Sequence, residues 1–124
     1  MIAADTSSLV AYFAGESGQD VELIESALTD GRLCLSPVVL TEVLSDPRTR
    51  DVLEPVVSDW PLLEITSGYW QRASRTRAEL LARKLMAKLP DTLIAQSAID
   101  HDVPLIARDA DFRHFARHCG LRLA

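Results

Sequence analysis

Two kinds of apolar run alternate along the chain. Short unbroken runs end at an acid or a small hydroxyl: Met1-Ile2-Ala3-Ala4 before Asp5, Arg32 to Leu35 before Ser36, and Val103 to Ala107 shortly before Asp109. Such runs suit the buried strands of a parallel sheet. Trp60 to Ile65 is a further strand candidate, and Leu121 to Leu123, after Gly120, is a last edge strand. Longer stretches space their apolar residues three and four apart and predict helices. The first helix starts at Asp5-Thr6-Ser7-Ser8 and carries Leu9 to Ala14, and Gly15 to Gly18 forms a turn. The second spans 19–30, burying Val21, Ile24, Ala27 and Leu28, and Gly31 ends it. Ser36-Pro37 caps and opens a third, which ends near Asp46-Pro47. Residues 48–58 predict a fourth, and a long fifth runs from Ser67 to about Ala87. A sixth begins after Pro90, with Ile94, Ala95, Ala98 and Ile99 on one face and Asp91 at the head of that stripe. A short seventh covers 110–117. Strands alternating with helices give an α/β protein, a small parallel sheet flanked by helices.

The length of 124 residues predicts one domain over 1–124, with 48% apolar and 25% charged residues in the usual globular range. No apolar run approaches the ~18 residues of a membrane span. The N-terminus has no basic region and meets an acid at Asp5, which speaks against a signal peptide. Cys34 sits in an apolar run and reads as a buried hydrophobe; Cys119 beside His118 lacks partners at zinc spacing. A cytoplasmic protein with reduced thiols is expected. The net charge of −5 hides an asymmetry: 12 acids and 3 Lys/Arg over 1–66, then 6 acids and 10 Lys/Arg over 67–124. Arg72, Arg75, Arg77, Arg83, Lys84 and Lys88 against Glu79 alone make a basic stripe over 71–88. It is either a solvated helix face or the footprint of a nucleic-acid partner.

Five acids stand out by position. Asp5 and Asp91 are each either the N-cap of a helix or a site carboxylate. Glu42 lies mid-helix at the border of the sheet-facing side, four residues after Val38. Asp109 and Asp111 leave the end of a strand and could cap the short helix that follows. Ligands of open α/β sheets bind outside the carboxyl ends of the strands, where Asp5, Asp91 and Asp109 would meet. Carboxylates gathered there repel one another and raise one another's pKa unless a cation intervenes. Hard divalent ions take oxygen ligands, and Mg²⁺ keeps waters and phosphate oxygens in its shell. Such a site hydrolyses phosphodiesters, often with two metals ~4 Å apart. No phosphate-binding glycine loop, Cys–His pair or Ser–His–Asp set competes with it. His101, His114 and His118 lie late in the chain in polar settings and read as surface residues.

Four segments resemble the PIN-domain ribonucleases, in particular the small VapC-type toxins of prokaryotic toxin–antitoxin pairs. They are Asp5-Thr6-Ser7, Thr41-Glu42-Val43-Leu44, Leu89 to Ala95 with Ala98, and Leu105 to Phe112, in family order and across nearly the whole length. The resemblance implies a three-layer α/β/α PIN-like fold and endonucleolytic, metal-dependent cleavage of RNA, with Mg²⁺ or Mn²⁺ as cofactor. By position, Asp5, Glu42, Asp91 and Asp109 match the family's acidic quartet, and Asp111 an additional acid. Asp5 and Asp91 would ligate the main ion; Glu42 and Asp109 would complete the site directly or through waters. Ser7 matches a small polar residue supporting the site, Arg108 a contact to phosphate, and the basic helix a guide for the RNA backbone. A cognate antitoxin is implied as well, inserting a segment near the acids.

Two positions depart from the family. Ala107 stands where Thr or Ser is common, and Lys84-Leu85-Met86-Ala87 lacks the Gly often found before Leu89. A catalytically silent PIN-like module acting through protein or RNA partners is the alternative, and Ala107 is its one support. A phospho-accepting receiver domain would need an acidic pair at the first strand end and a Lys after the last strand; Asp5 stands alone, and Arg108 follows Ala107. Leu9, Val10, Tyr12, Phe13, Leu23 and Ile24 exceed what one sheet face covers, which predicts a homodimer or antitoxin surface.

Overall fold

The computed structural model describes residues 1–124. Ten elements follow one another: β1 (Ile2–Ala4), α1 (Thr6–Phe13), α2 (Gln19–Thr29), β2 (Leu33–Cys34), α3 (Pro37–Val43), α4 (Arg50–Val57), α5 (Tyr69–Ala82), α6 (Leu89–Asp100), β3 (Leu105–Ile106) and α7 (Phe112–His118). The sheet is parallel, in the order β2-β1-β3, with Ile2 opposite Leu33, Ala3 opposite Cys34 and Leu105, and Ala4 opposite Ile106. Every residue of the three strands is buried, as a parallel sheet covered on both faces requires. The α/β/α arrangement thus matches the pattern of short apolar runs between helical ones. Its two outer strand candidates are reduced to single parallel bridges, Leu35 with Leu62 and Leu105 with Leu123. They still extend the sheet edge: Leu63 N–H donates to the Leu35 carbonyl and Ala124 N–H to that of Leu105. No helix is long and apolar enough to cross a membrane.

The largest departure from the sequence reading is the length of α5, which ends at Ala82 rather than near Ala87. Lys84 takes a left-handed backbone, φ 60°. Its N–H donates to the Leu81 carbonyl, and that of Leu85 to Leu80, closing the last turn as a Schellman motif. Leu85 then packs on the core beside the buried Leu80. The missing Gly of this segment is therefore replaced by a lysine doing a glycine's conformational job, at a cost of roughly 1 kcal/mol. Lys84→Gly should raise stability by about that amount, or roughly 3–6 °C in Tm, which differential scanning calorimetry would read. An unchanged or lower Tm would mean that the Lys84 side chain contributes as much as its backbone costs.

The core joins the strands to Leu9, Ile24, Val39, Leu80, Ile94, Ala95, Ala98, Phe112 and Phe115. Helix α6 is buried nearly all round, Thr92, Gln96 and Ser97 included, because α3, α5 and α7 all pack on it. The early helices leave a small apolar surplus: Leu9 and Ile24 are fully buried, Tyr12, Phe13 and Leu23 pack against the core, and Val10 is open, with Phe13 beside it lining a groove. Exposed apolar side chains gather elsewhere: Val52 and Val56 on α4, and Trp70, Leu81 and Leu89 along α5 and the start of α6.

Candidate metal centre

The parallel pairing of β1 and β3 sends both strands out of the sheet at one edge. Asp5 follows β1 directly, and its backbone N–H donates to the Ile106 carbonyl at 2.9 Å, so the two strand ends are pinned together. Asp5 is 2% exposed, and its side chain serves as N-cap of α1: Oδ1 accepts from Ser8 N–H at 2.9 Å and Oδ2 from Ser7 Oγ at 2.8 Å. The two readings of Asp5, cap and site acid, are compatible, since a cap needs only part of a carboxylate. Burial pushes its carboxyl above the ordinary range; the Ser8 N–H and Ser7 hydroxyl oppose this, and the charge of Asp109 adds to it.

Helix α6 brings the next acid. It begins at Leu89, two residues earlier than the sequence predicts, with Pro90 in its first turn and Lys88 at the N-cap position. Asp91 is therefore not a cap but a first-turn acid at the positive end of the helix dipole. One carboxylate oxygen each from Asp91, Asp109 and Asp111 lies within 4.8 Å of the others. Asp109 is held in the turn after β3, where its Oδ1 accepts from the Asp111 N–H at 2.9 Å, and Asp111 stands at the N-cap position of α7 without capping it. Burial raises the Asp91 pKa to about 6, helped by the charges of Asp109, Asp111 and Asp5 and opposed by Lys88. Three hard oxygen donors this close, on a carboxylate that its surroundings disfavour as an anion, fit a divalent cation.

The other candidates fall into different places. Glu42 is exposed on α3, and its Oε1 accepts from Thr6 Oγ1 at 2.6 Å, next to Asp5. It stands at the margin of the site rather than in the three-acid cluster. Arg108 departs from the expected phosphate contact: its guanidinium is engaged by Asp20 at 2.8 and 3.1 Å and by the Ser17 carbonyl. Part of the basic stripe is similarly committed, while Arg75 is exposed without an ion-pair partner. Arg72 forks onto Asp100 at 2.7 Å, Arg77 donates to the Ala87 carbonyl, and Arg83 pairs with Glu79. Lys84 and Lys88 lie beyond the helix altogether. The histidines are partly exposed at the surface, and His101 Nε2 sits 2.7 Å from the Glu64 carbonyl. Ala107 packs against the core. Three residues of the site region were missed in the sequence. Lys88 is signalled only by a lone cation three before Asp91, whereas Thr6 and Ser8 needed the helix phase of α1.

The PIN-domain family profile matches residues 2–118. The chain belongs to the PIN-domain family. This PIN domain is 31% identical to ribonuclease VapC11 of Mycobacterium tuberculosis over 131 aligned residues, covering 100% of the chain and 98% of the relative. Its fold is shared with VapBC2 from Rickettsia felis bound to a promoter DNA fragment, at TM-score 0.78, 20% identity, and 100% and 98% coverage. It is shared too with a toxin–antitoxin complex from Klebsiella pneumoniae, at TM-score 0.71, 21% identity, and 98% and 95% coverage. The expected PIN-like fold and VapC-type family are thereby borne out.

Proposed function

We propose that this PIN domain is a metal-dependent endoribonuclease, the toxin of a toxin–antitoxin pair. The observation that carries the reading is the convergence of Asp91, Asp109 and Asp111 within 4.8 Å at the strand edge where Asp5 also lies. Kinship with VapC ribonucleases supplies RNA as the substrate class. Asp5, Asp91 and Asp109 would hold Mg²⁺ or Mn²⁺, with Asp111 as a further ligand and Glu42 reached through water. The ion, when bound, supplies Lewis-acid polarisation of the phosphate and a more acidic water. The chain's own groups do the rest. Ser7 and the Ser8 N–H fix the Asp5 carboxylate, leaving one lone-pair set per oxygen for a ligand. Glu42, hydrogen-bonded by Thr6, is free to accept a proton from an attacking water at the exposed margin. Lys88 offers a cation beside Asp91 for phosphate charge.

A cognate antitoxin is the expected protein partner, by analogy with the complexes whose fold the chain shares. A groove of about 320 Å³ between α1, α3 and α4, lined by Val10, Phe13, Glu42, Val52 and Leu53, reaches the site acid Glu42 and suits an inserted apolar segment. A homodimer would cover the second apolar face, around Trp70, Leu81 and Leu89. Purified protein with labelled total RNA and Mn²⁺ should yield discrete fragments that EDTA abolishes. Intact RNA, together with no calorimetric heat of Mn²⁺ binding, would leave the silent module as the better reading. Sedimentation of the same preparation as a monomer would remove the homodimer.

A further inference from the structure

The Arg108 guanidinium joins segments far apart in sequence. Nε and Nη2 fork onto the Asp20 carboxylate at 2.8 and 3.1 Å, Nη2 also donates to the Ser17 carbonyl at 3.1 Å, and Nη1 lies 3.8 Å from Glu16. A bidentate Arg–carboxylate pair is the most geometrically defined ionic contact a side chain makes. The Asp20 side chain is only 13% exposed, so the pair is screened less than an open surface bridge. Its place is cut out of the chain: a Cβ at Gly18 would stand 2.6 Å from Asp20 Oδ1 and 2.9 Å from Arg108 Nη2. Gly18 also holds φ +150°, a backbone that residues with a side chain rarely adopt, so glycine suits the turn that closes on the arginine. The next residue after Arg108 is Asp109, of the three-acid cluster. The clasp thus borders the site through the turn that carries Asp109.

We propose that Arg108 is a positioning residue: gripped by Asp20 and the Ser17 carbonyl, it fixes the turn after β3 and so holds the Asp109 carboxylate where a divalent ion needs it. The inference rests on reading the acids as a metal site. Groups behind metal ligands typically change metal affinity 10–100-fold when removed. Coulomb's law predicts the opposite for this residue, because deleting a cation beside the acids should tighten cation binding. A loss of affinity in Arg108→Gln would therefore report geometry and not charge.

The test compares wild type, Arg108→Gln, Asp20→Asn and the double variant. Arg122→Gln, which breaks an exposed pair with Asp102, is the control. Amide hydrogen exchange over residues 107–112 is measured without metal, and Mn²⁺ affinity by calorimetry. Exchange should rise at least ~10-fold in either single variant, no further in the double, and not in Arg122→Gln. Mn²⁺ affinity should fall roughly 10-fold in Arg108→Gln. Unchanged exchange in a single variant, an additive double variant, or Arg108→Gln binding Mn²⁺ as tightly as wild type would overturn the proposal. Should Arg108→Gln not fold, the near-isosteric Asp20→Asn carries the exchange measurement, which then decides the proposal, because loss of an anion would weaken cation binding on charge alone. Absence of Mn²⁺ binding in the wild type would overturn the metal reading, and the exchange arm would then decide the clasp alone.

Discussion

Asp91→Asn should abolish RNA cleavage and at the same time make the metal-free protein more stable. The two effects have one cause. Asp91 is pressed between burial and three neighbouring carboxylates, and its pKa stands at about 6 instead of 3.8. At pH 7 it is nevertheless ionised, so the fold carries an unfavourable charge. The shift corresponds to about 3 kcal/mol at most, and to about 1–2 kcal/mol after allowance for the solvent that still reaches the carboxylate. Asparagine keeps the shape and removes the charge, so Tm of the metal-free variant should rise by roughly 5 °C at pH 7. Its amide is a poor ligand for a hard cation, and its NH₂ would face a positive ion. Loss of Asp91 as a proposed principal ligand should lower cleavage by roughly 10³-fold, about 4 kcal/mol of transition-state stabilisation. Rate assays and thermal unfolding on the same sample check both. A variant less stable than wild type would show that Asp91 makes a structural contact that outweighs the cost of its charge, and a variant of normal activity would remove Asp91 from the proposed metal site.

That opposition of stability and function explains which parts of the molecule were legible in the sequence. Strand and helix order came from periodicity, because burial imposes it: Ile2 to Ala4 and Leu105 to Ile106 have buried faces on both sides and can only be apolar. The Ser36-Pro37 start of α3 also appeared where the cap and the fixed proline φ put it, with Ser36 Oγ accepting from the Val39 N–H. The acids were legible by position, as carboxylates at strand ends and helix starts that a parallel sheet brings to one edge, some of them serving the fold there as well. Asp91 at the head of a buried helix face is the strongest instance.

The failures came from interactions with no local signature. The end of α5 depends on Lys84 adopting a left-handed backbone, which its side chain does not announce. The committed roles of Arg72 and Arg108 depend on acids 28 and 88 residues away. A basic stripe in sequence is thus partly an inventory of structural clamps. The two outer strands shrank to single bridges because Leu62 and Leu123 each pair with only one neighbour. Most of the exposed apolar surface lies on α4 and α5, because the apolar residues of the early helices are shared between the sheet and one another and leave mainly Val10 open.

Affinity for Mn²⁺ should climb as pH rises through the Asp91 titration, while the stability of the metal-free protein falls. A proton and a cation compete for the same carboxylate, and with a pKa of about 6 the proton wins below that pH. Apparent affinity should increase roughly 30-fold from pH 4.5 to pH 7 and then level, in the proportion that Asp91 is ionised. Without metal the linkage has the opposite sign. The folded-state pKa of Asp91 is raised, so the native state binds the extra proton between about pH 4 and 6. The stability this group contributes is complete below about pH 4 and is lost as pH climbs through 6. Asp20 and Asp100 work the other way: Arg108 and Arg72 hold their carboxyls below the usual range, so their contribution is present at neutral pH and lost on acidification below about 4. The metal-free protein should therefore be most stable near pH 4–5. Saturating Mn²⁺ should move that optimum toward neutrality, because binding stabilises by RT ln(1 + [L]/Kd) and Kd is smallest there. Thermal unfolding across pH 4–8 with and without Mn²⁺, beside calorimetric titrations at the two extremes, measures both slopes. Asp91→Asn should flatten the metal-free curve between pH 4 and 6 and leave the acid-side loss from Asp20 and Asp100 in place. A Mn²⁺ affinity independent of pH over 4.5–7 would mean that Asp91 is ionised throughout, and that the neighbouring carboxylates do not press on it as their spacing requires.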